Sequence, residues 1–429
     1  MILLHNALIV DPEAEEVTPG ALLMHEGEIA ERFDEVDPDA PRFKGAQVVD
    51  CGGKHLAPGI VDLGVKICEP GERHKESFRS GGRAAARGGV TTMVTRPDTD
   101  PAMDNPETLS FHLARAKDDA PVRVLPMAAL TKGRAGREMT EIGFLKDAGA
   151  VAFTDCDNVV ADTKVLSRAL TYAAGLDALV IGHPQEPIMS KGACMTSGQY
   201  ASQLGLPAVS TLAERMGLER DLALVEATGV RYHADQITCR AGLDVLRRAQ
   251  AAGLKVTAGT SIHHLTLNEL DVADYRTFFK VKPPLRPEGD RLALLEAVID
   301  GEIGIISSMH TPQDEESKRL PFEEAASGAV ALETLLPAAL QLVHSGHLEL
   351  PALFRALALN PARLLGLQQG NLDQGAPADI ILFDTDVPYQ LDRWTLASKS
   401  KNTPYDLRRM QGRVLRTFVA GQQVFGDAI

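Results

Sequence analysis

Residues 62–71 read Asp-Leu-Gly-Val-Lys-Ile-Cys-Glu-Pro-Gly and set a lysine and a cysteine two residues apart at the end of a β-branched run. An ammonium is itself a cation, with donors and no lone pair to give, so Lys66 can pair with a carboxylate but cannot ligate a metal. Gly64 offers no side chain at all. Five cysteines stand at 51, 68, 156, 194 and 239, a scatter that fits neither a zinc finger nor a disulfide framework. Cys68, Cys156 and Cys239 read as inert packing residues in preference to a reactive cluster, because a buried reduced thiol is usually just a small hydrophobe. His263-His264 and His310 are expected to be satisfied structural histidines. The acidic run Asp314-Glu-Glu-Ser-Lys-Arg reads first as a solvated loop and second as a loop that meets a partner.

Short β-branched runs at 59–63, 90–95, 122–128, 150–154, 178–182, 229–233, 254–258 and 303–307 have to position these groups, and they make eight strands. Amphipathic segments lie between them, at 76–87, 106–117, 211–227, 241–252 and 290–300. Eight β/α alternations predict an α/β fold of the (β/α)8 TIM type, with function at the C-terminal ends of the strands. Strands before the barrel, at 2–10, 21–24 and 47–50, and after it, at 380–383 and 414–424, are expected to pair into a small β-sandwich built from both termini. The predicted division is therefore 1–57 with 369–429 as the sandwich and 58–368 as the barrel. A net charge of −14 argues against nucleic acid or anionic membrane as a partner. The chain has no apolar run of about 18 residues and no basic, apolar N-terminal leader pattern, so the cytoplasm is the expected compartment.

A family resemblance follows from motifs spread in order over nearly the whole chain. Pro58-Gly-Ile-Val-Asp-Leu, Glu69-Pro-Gly with His74-Lys-Glu, Gly88-Gly-Val-Thr-Thr, Leu204-Gly-Leu-Pro, His263-His-Leu, Lys280-Val-Lys-Pro-Pro-Leu-Arg and Ala378-Asp-Ile resemble the type I dihydroorotases of the amidohydrolase superfamily. The resemblance implies a place in pyrimidine biosynthesis, where active members open or close a dihydropyrimidine ring with zinc-bound hydroxide.

Carried over position by position, the resemblance implies a site that has lost most of its parts. The His-x-His metal pair falls on Gly64 and Lys66, and the substrate-gripping arginine falls on Cys68. The asparagine of Met-Pro-Asn-Thr falls on Asp98, and the bridging aspartate falls on Cys156, while Asp155 keeps its predecessor. One metal histidine survives as His183, and the next falls on Gln236. The catalytic aspartate falls on Met309, the last histidine of that motif falls on Gln313, and Lys282 joins the substrate-side positions. Cys156 and His183 are only two good zinc ligands where three or four are needed. Lys66 is expected to pair with Asp155 in a metal-free pocket.

These losses lead to the expectation of a dihydroorotase-like chain that is not an enzyme, with no metal and no cofactor. By the resemblance it would be a structural or regulatory subunit supporting the aspartate carbamoyltransferase catalytic chain, in a homo- or hetero-oligomer. An active cyclic amidohydrolase with an unorthodox metal site is the alternative, and a barrel scaffold with another partner is a third reading.

Overall fold

The computed structural model describes residues 1–427. Its barrel strands carry almost unbroken apolar or small residues because both faces of each strand are covered. Ile60–Val65, Val90–Thr95 and Arg123–Pro126 form one parallel set, and Leu179–Gly182, Arg231–Ala234, Val256–Ser261 and Ile305–Ser307 form another. Segment 150–154 does not form the regular strand expected there. It bridges in parallel at Phe153, to Ala128 on one side and Val180 on the other, and backbone hydrogen bonds linking Val151, Ala152 and Thr154 to the 126–128 segment help it span the gap between the two sets. The ring closes where the Lys66 N–H donates to the His310 carbonyl at 2.9 Å.

The connecting helices start where the sequence supplies caps. Ser77 caps Phe78–Arg87 reciprocally with Ser80, and Asn105 caps Pro106–Asp119 just ahead of a proline at the first helical position. Asp162 caps Thr163–Gly175 through two backbone N–H groups. The apolar faces of these helices join the barrel strands in one continuous core.

Both termini build a single eight-stranded sheet beside the barrel. Ile2–Asp11 pairs in parallel with His55–Pro58, which pairs antiparallel with Ile380–Gln390, so the first and last parts of the chain share one ladder. Arg123 anchors the sheet to the barrel through Asp379, with Nε donating to Oδ2 at 2.7 Å. After this sheet strand the chain runs back across the barrel. There Ser398 donates to the buried Glu76, Ser400 Oγ donates to the Lys75 carbonyl at 2.8 Å, and Asn402 Nδ2 donates to the Gly328 carbonyl at 3.0 Å.

Candidate functional site

The backbone at the C-terminal ends of the strands is unusual before any side chain is considered. Gly64 sits at φ 104°, where the pairing register with the neighbouring strand slips between Leu63 and Val65. Three residues with side chains adopt the left-handed region nearby: Cys156 at φ 54°, Gln236 at 57° and Met309 at 48°. Each such residue costs on the order of 1–3 kcal/mol and persists only where its surroundings fix it, a pattern typical of functional sites. Local hydrogen bonds do the fixing. Cys156 N–H donates to Thr154 Oγ1 at 2.9 Å, and Thr311 Oγ1 donates to the Met309 carbonyl at 3.0 Å. Met309 also fills the room left at Gly64, where a Cβ would stand 2.8 Å from its Sδ.

Gly64, Arg96, Cys156, His183, Gln236 and Met309 line an inner chamber of about 60 Å³. Asp157, Asp235 and Lys282 face the same space. An outer chamber of about 540 Å³ shares Asp157, His183 and Lys282 with it and opens toward Arg134, Lys191 and Lys280.

The charges at this mouth are arranged around two carboxylates. Arg96 grips Asp98 with both arms, Nε at 3.1 Å and Nη2 at 2.9 Å. Lys66 Nζ lies 3.3 Å from Asp98 Oδ2 and 3.5 Å from Glu72 Oε2. Asp98 is thus neutralised from two sides. The expected pairing of Lys66 with Asp155 is corrected here, because Asp155 already spends its oxygens on Thr131, whose N–H donates at 2.9 Å and whose hydroxyl donates to the second oxygen. Asp157 faces three cations: Arg134 at 3.1 Å, Lys282 at 3.2 Å and Arg96 at 3.7 Å. Burial pushes its pKa up, but those cations outweigh burial and hold the carboxyl well below its usual range.

The remaining titratable groups of the inner chamber divide by burial. Burial, followed by the Lys282 charge, lowers His183 to about 3, so its imidazole is neutral, and its buried Nε2 has no hydrogen-bond partner among the described residues. Burial lifts Asp235 to about 6 against the pull of Arg96 and of hydrogen bonds from Gln236. Cys156 is pushed up to about 12, again by burial first, and stays a thiol. Cys68 also rises to about 12, and Cys239, packed on Glu214, is raised too. Cys68 and Cys239 behave as packing residues, whereas Cys156 faces the inner chamber.

The carried-over positions thus fall into two groups. Gly64, Cys156, His183, Gln236, Met309 and Lys282 converge on the inner chamber. Cys68 is buried away from it, Asp98 is locked against Arg96, and Gln313 donates through Nε2 to the Ser327 carbonyl at 2.9 Å. His264 is satisfied by Ser261 at 2.8 Å and the Pro283 carbonyl at 3.1 Å, while His263 stacks on Tyr405 with both ring nitrogens unpartnered among the described residues. His310 accepts from the Ala331 N–H at 3.1 Å, and its Nε2 lies 3.6 Å from Glu76. Asp314 caps the short helix Glu315–Lys318 and lies 3.4 Å from His74, so the acidic run is structured. Arg96, Arg134, Asp157 and Asp235 are the mouth residues that motif reading passed over. Three of them flank positions that it did single out, namely Asp98, Cys156 and Gln236.

A divalent metal pair does not fit this donor set. Among the described residues no group of three or more His, Cys, Asp or Glu side chains is arranged to hold an ion. At the mouth His183 and Cys156 face the guanidinium of Arg96 and the ammonium of Lys282, whose charges repel a divalent cation.

The barrel, with its chamber at the strand ends and a sheet built from both termini, is an architecture found in solved hydantoinase structures. The fold matches L-hydantoinase (dihydropyrimidinase) from Arthrobacter aurescens with a TM-score of 0.89 at 23% identity, covering 100% of this chain and 97% of that one. It also matches dihydropyrimidinase from Brevibacillus agri NCHU1002, with a TM-score of 0.86 at 19% identity over 99% and 95% of the two chains. A dihydro-orotase-like family model matches residues 53–241. The dihydroorotase of Anaplasma phagocytophilum (strain HZ) is 38% identical over 422 residues, covering 98% of this chain and 94% of its own length. That of Pelotomaculum thermopropionicum (strain DSM 13744 / JCM 10971 / SI) is 37% identical over 429 residues, covering 100% and 99%. The chain belongs to the dihydroorotase-like family of the amidohydrolase superfamily. These relatives overturn the expectation that the chain is not an enzyme, because proteins similar to it along almost their full length bear an enzyme's name.

Proposed function

We propose that this chain acts in pyrimidine biosynthesis as a cyclic amidohydrolase on a dihydropyrimidine-type ring, using side chains where a metal pair does not fit. The observation that carries this reading is the meeting of Asp235, neutral His183, Arg96 and Lys282 around one chamber. A base near pKa 6 is ionised at neutral pH and matched to general-base work. In the hydrolytic direction Asp235 would take a proton from water as the oxygen adds to the ring carbonyl. Lys282 and Arg96 supply positive charge for the oxyanion that forms. When the C–N bond breaks, the ring nitrogen leaves with the proton that Asp235 holds.

The test is dihydroorotate turnover measured with and without a chelator, alongside elemental analysis of dialysed protein. Turnover is expected to survive chelation, with well under one zinc per chain, and to fall about 10²-fold or more in Asp235→Asn. Its rate should rise with pH through about 6, as Asp235 loses its proton. Absence of turnover, or activity that zinc alone restores, would refute the reading.

A second, compatible proposal is that the chain assembles with the aspartate carbamoyltransferase catalytic chain. It rests on the family resemblance and on the replaced ligand positions Gly64, Lys66, Gln236 and Met309. Co-expression should give one complex on size exclusion, with carbamoyltransferase activity raised in it. Two separately eluting proteins, with the transferase fully active alone, would count decisively against it.

A further inference from the structure

We infer that the outer chamber is a binding site for a phosphate-bearing anion, adjoining the inner chamber and sharing Asp157, His183 and Lys282 with it. Four cations line it, Arg134, Lys191, Lys280 and Lys282, against only two carboxylates, Asp157 and Glu323. That excess lies within a chain of net charge −14, so it is not an overflow of a generally basic surface. Asp157 is shared among Arg134, Lys282 and Arg96, so it does not fully offset the two of them, Arg134 and Lys282, that line this chamber. Lys280 is buried, yet its Nζ meets only a backbone carbonyl, that of Glu323, at 2.9 Å, and among the described residues it forms no ion pair. Lys191 is exposed on the facing loop and also lacks an ion-pair partner among the described residues. A buried cation without a counter-charge is costly, and an anionic ligand supplies that counter-charge.

The second, independent observation is His183. It is 6% exposed, lines both chambers, and presents an Nε2 with no partner among the described residues. A ligand oxygen or hydroxyl at the passage between the chambers would satisfy it. The volume of about 540 Å³ is far more than one ring needs, and its cations come from three stretches of chain, at 134, at 191 and at 280–282. Arg134 spends Nε and Nη2 on the Asp155 carbonyl and on Asp157, so the three lysines carry the site as point charges around it, which suits a phosphate monoester with three terminal oxygens and nearly two negative charges. A flat carboxylate would engage fewer of them. This inference goes beyond the proposed ring chemistry and does not depend on it.

Calorimetric titration of the whole protein with inorganic phosphate, at ionic strength held constant with chloride, tests it. One saturable site is expected, weakened about tenfold or more by Lys191→Gln together with Lys282→Gln. Lys191 makes no ion pair among the described residues, so Lys191→Gln alone keeps the fold and is expected to weaken binding in the same direction. Succinate, as a dicarboxylate control, should bind at least about tenfold more weakly. Asp235→Asn should leave phosphate binding intact while lowering ring turnover about 10²-fold or more, which separates the two readings. No saturation, unchanged affinity in the double variant, or succinate binding as tight as phosphate would overturn the inference.

Discussion

Gly64→His, the substitution that would return a histidine to the first strand end, is expected to destabilise the protein by about 2–6 kcal/mol. Two costs add. The first is backbone strain, since φ at 64 is 104°, a conformation that side chains rarely adopt and that costs on the order of 1–3 kcal/mol. The second is overpacking, since even a Cβ there meets Met309 Sδ at 2.8 Å, and inserting atoms into a filled core costs roughly another 1–3 kcal/mol. Met309→Ala added to Gly64→His should recover the second part and leave the first. Urea unfolding midpoints of the parent and the two variants measure both terms, and a Gly64→His protein as stable as the parent would show that the slipped register at Leu63–Val65 is soft. The pair Gly64→His with Lys66→His should add no dihydroorotate turnover. Cys68, Cys156, Gln236 and Met309 would still stand where the resemblance places active groups, and catalytic groups that act as a unit recover almost nothing when partly repaired.

This expectation also marks what was legible in the sequence. Hydrophobic periodicity was enough to place the barrel, because buried strands such as Val90–Thr95 and helices such as Pro106–Asp119 announce themselves through composition and caps. Segment 150–154 had the right composition but forms an irregular ladder, with its bridges at Phe153 alone, since regular strand formation there depends on how its neighbours close the ring. At the mouth, the identities of Gly64, Cys156, Gln236 and Met309 told which ligands were missing. They did not tell that three of these residues hold left-handed backbone, nor that Met309 reaches across to Gly64. Ion pairing was the least legible layer. Lys66 and Asp155 both belong near strand ends, but which carboxylate a lysine meets is fixed by a few ångströms of loop geometry. Thr131 occupies Asp155, and Arg96 delivers Asp98 to Lys66 instead.

Asp98→Asn is expected to cost about 3–5 kcal/mol, among the largest losses for a single polar substitution at this mouth. The carboxylate lies between two largely buried cations, Arg96 with 9% and Lys66 with 14% side-chain exposure. Without it both are left with weaker contacts, Arg96 with Asp157 at 3.7 Å and Lys66 with Glu72 at 3.5 Å. Lys66→Met should cost less, about 1–3 kcal/mol, because Asp98 keeps its two-armed contact with Arg96. A double-mutant cycle of Lys66→Met with Asp98→Asn should show coupling of about 0.5–3 kcal/mol, whereas Lys66→Met with Asp155→Asn should be additive within about 0.5 kcal/mol. The pH dependence gives a second readout. Burial works to lower the pKa of Lys66, yet Asp98 and the other negative groups around it outweigh burial and raise it above 10.5. A raised lysine stabilises the fold fully below its unfolded pKa, and that contribution fades as pH climbs through the raised folded value. The parent should therefore lose stability above about pH 10.5, and Asp98→Asn should flatten that alkaline limb. An unchanged limb, or coupling to Asp155 in place of Asp98, would mean that Lys66 turns away from the pocket wall in solution.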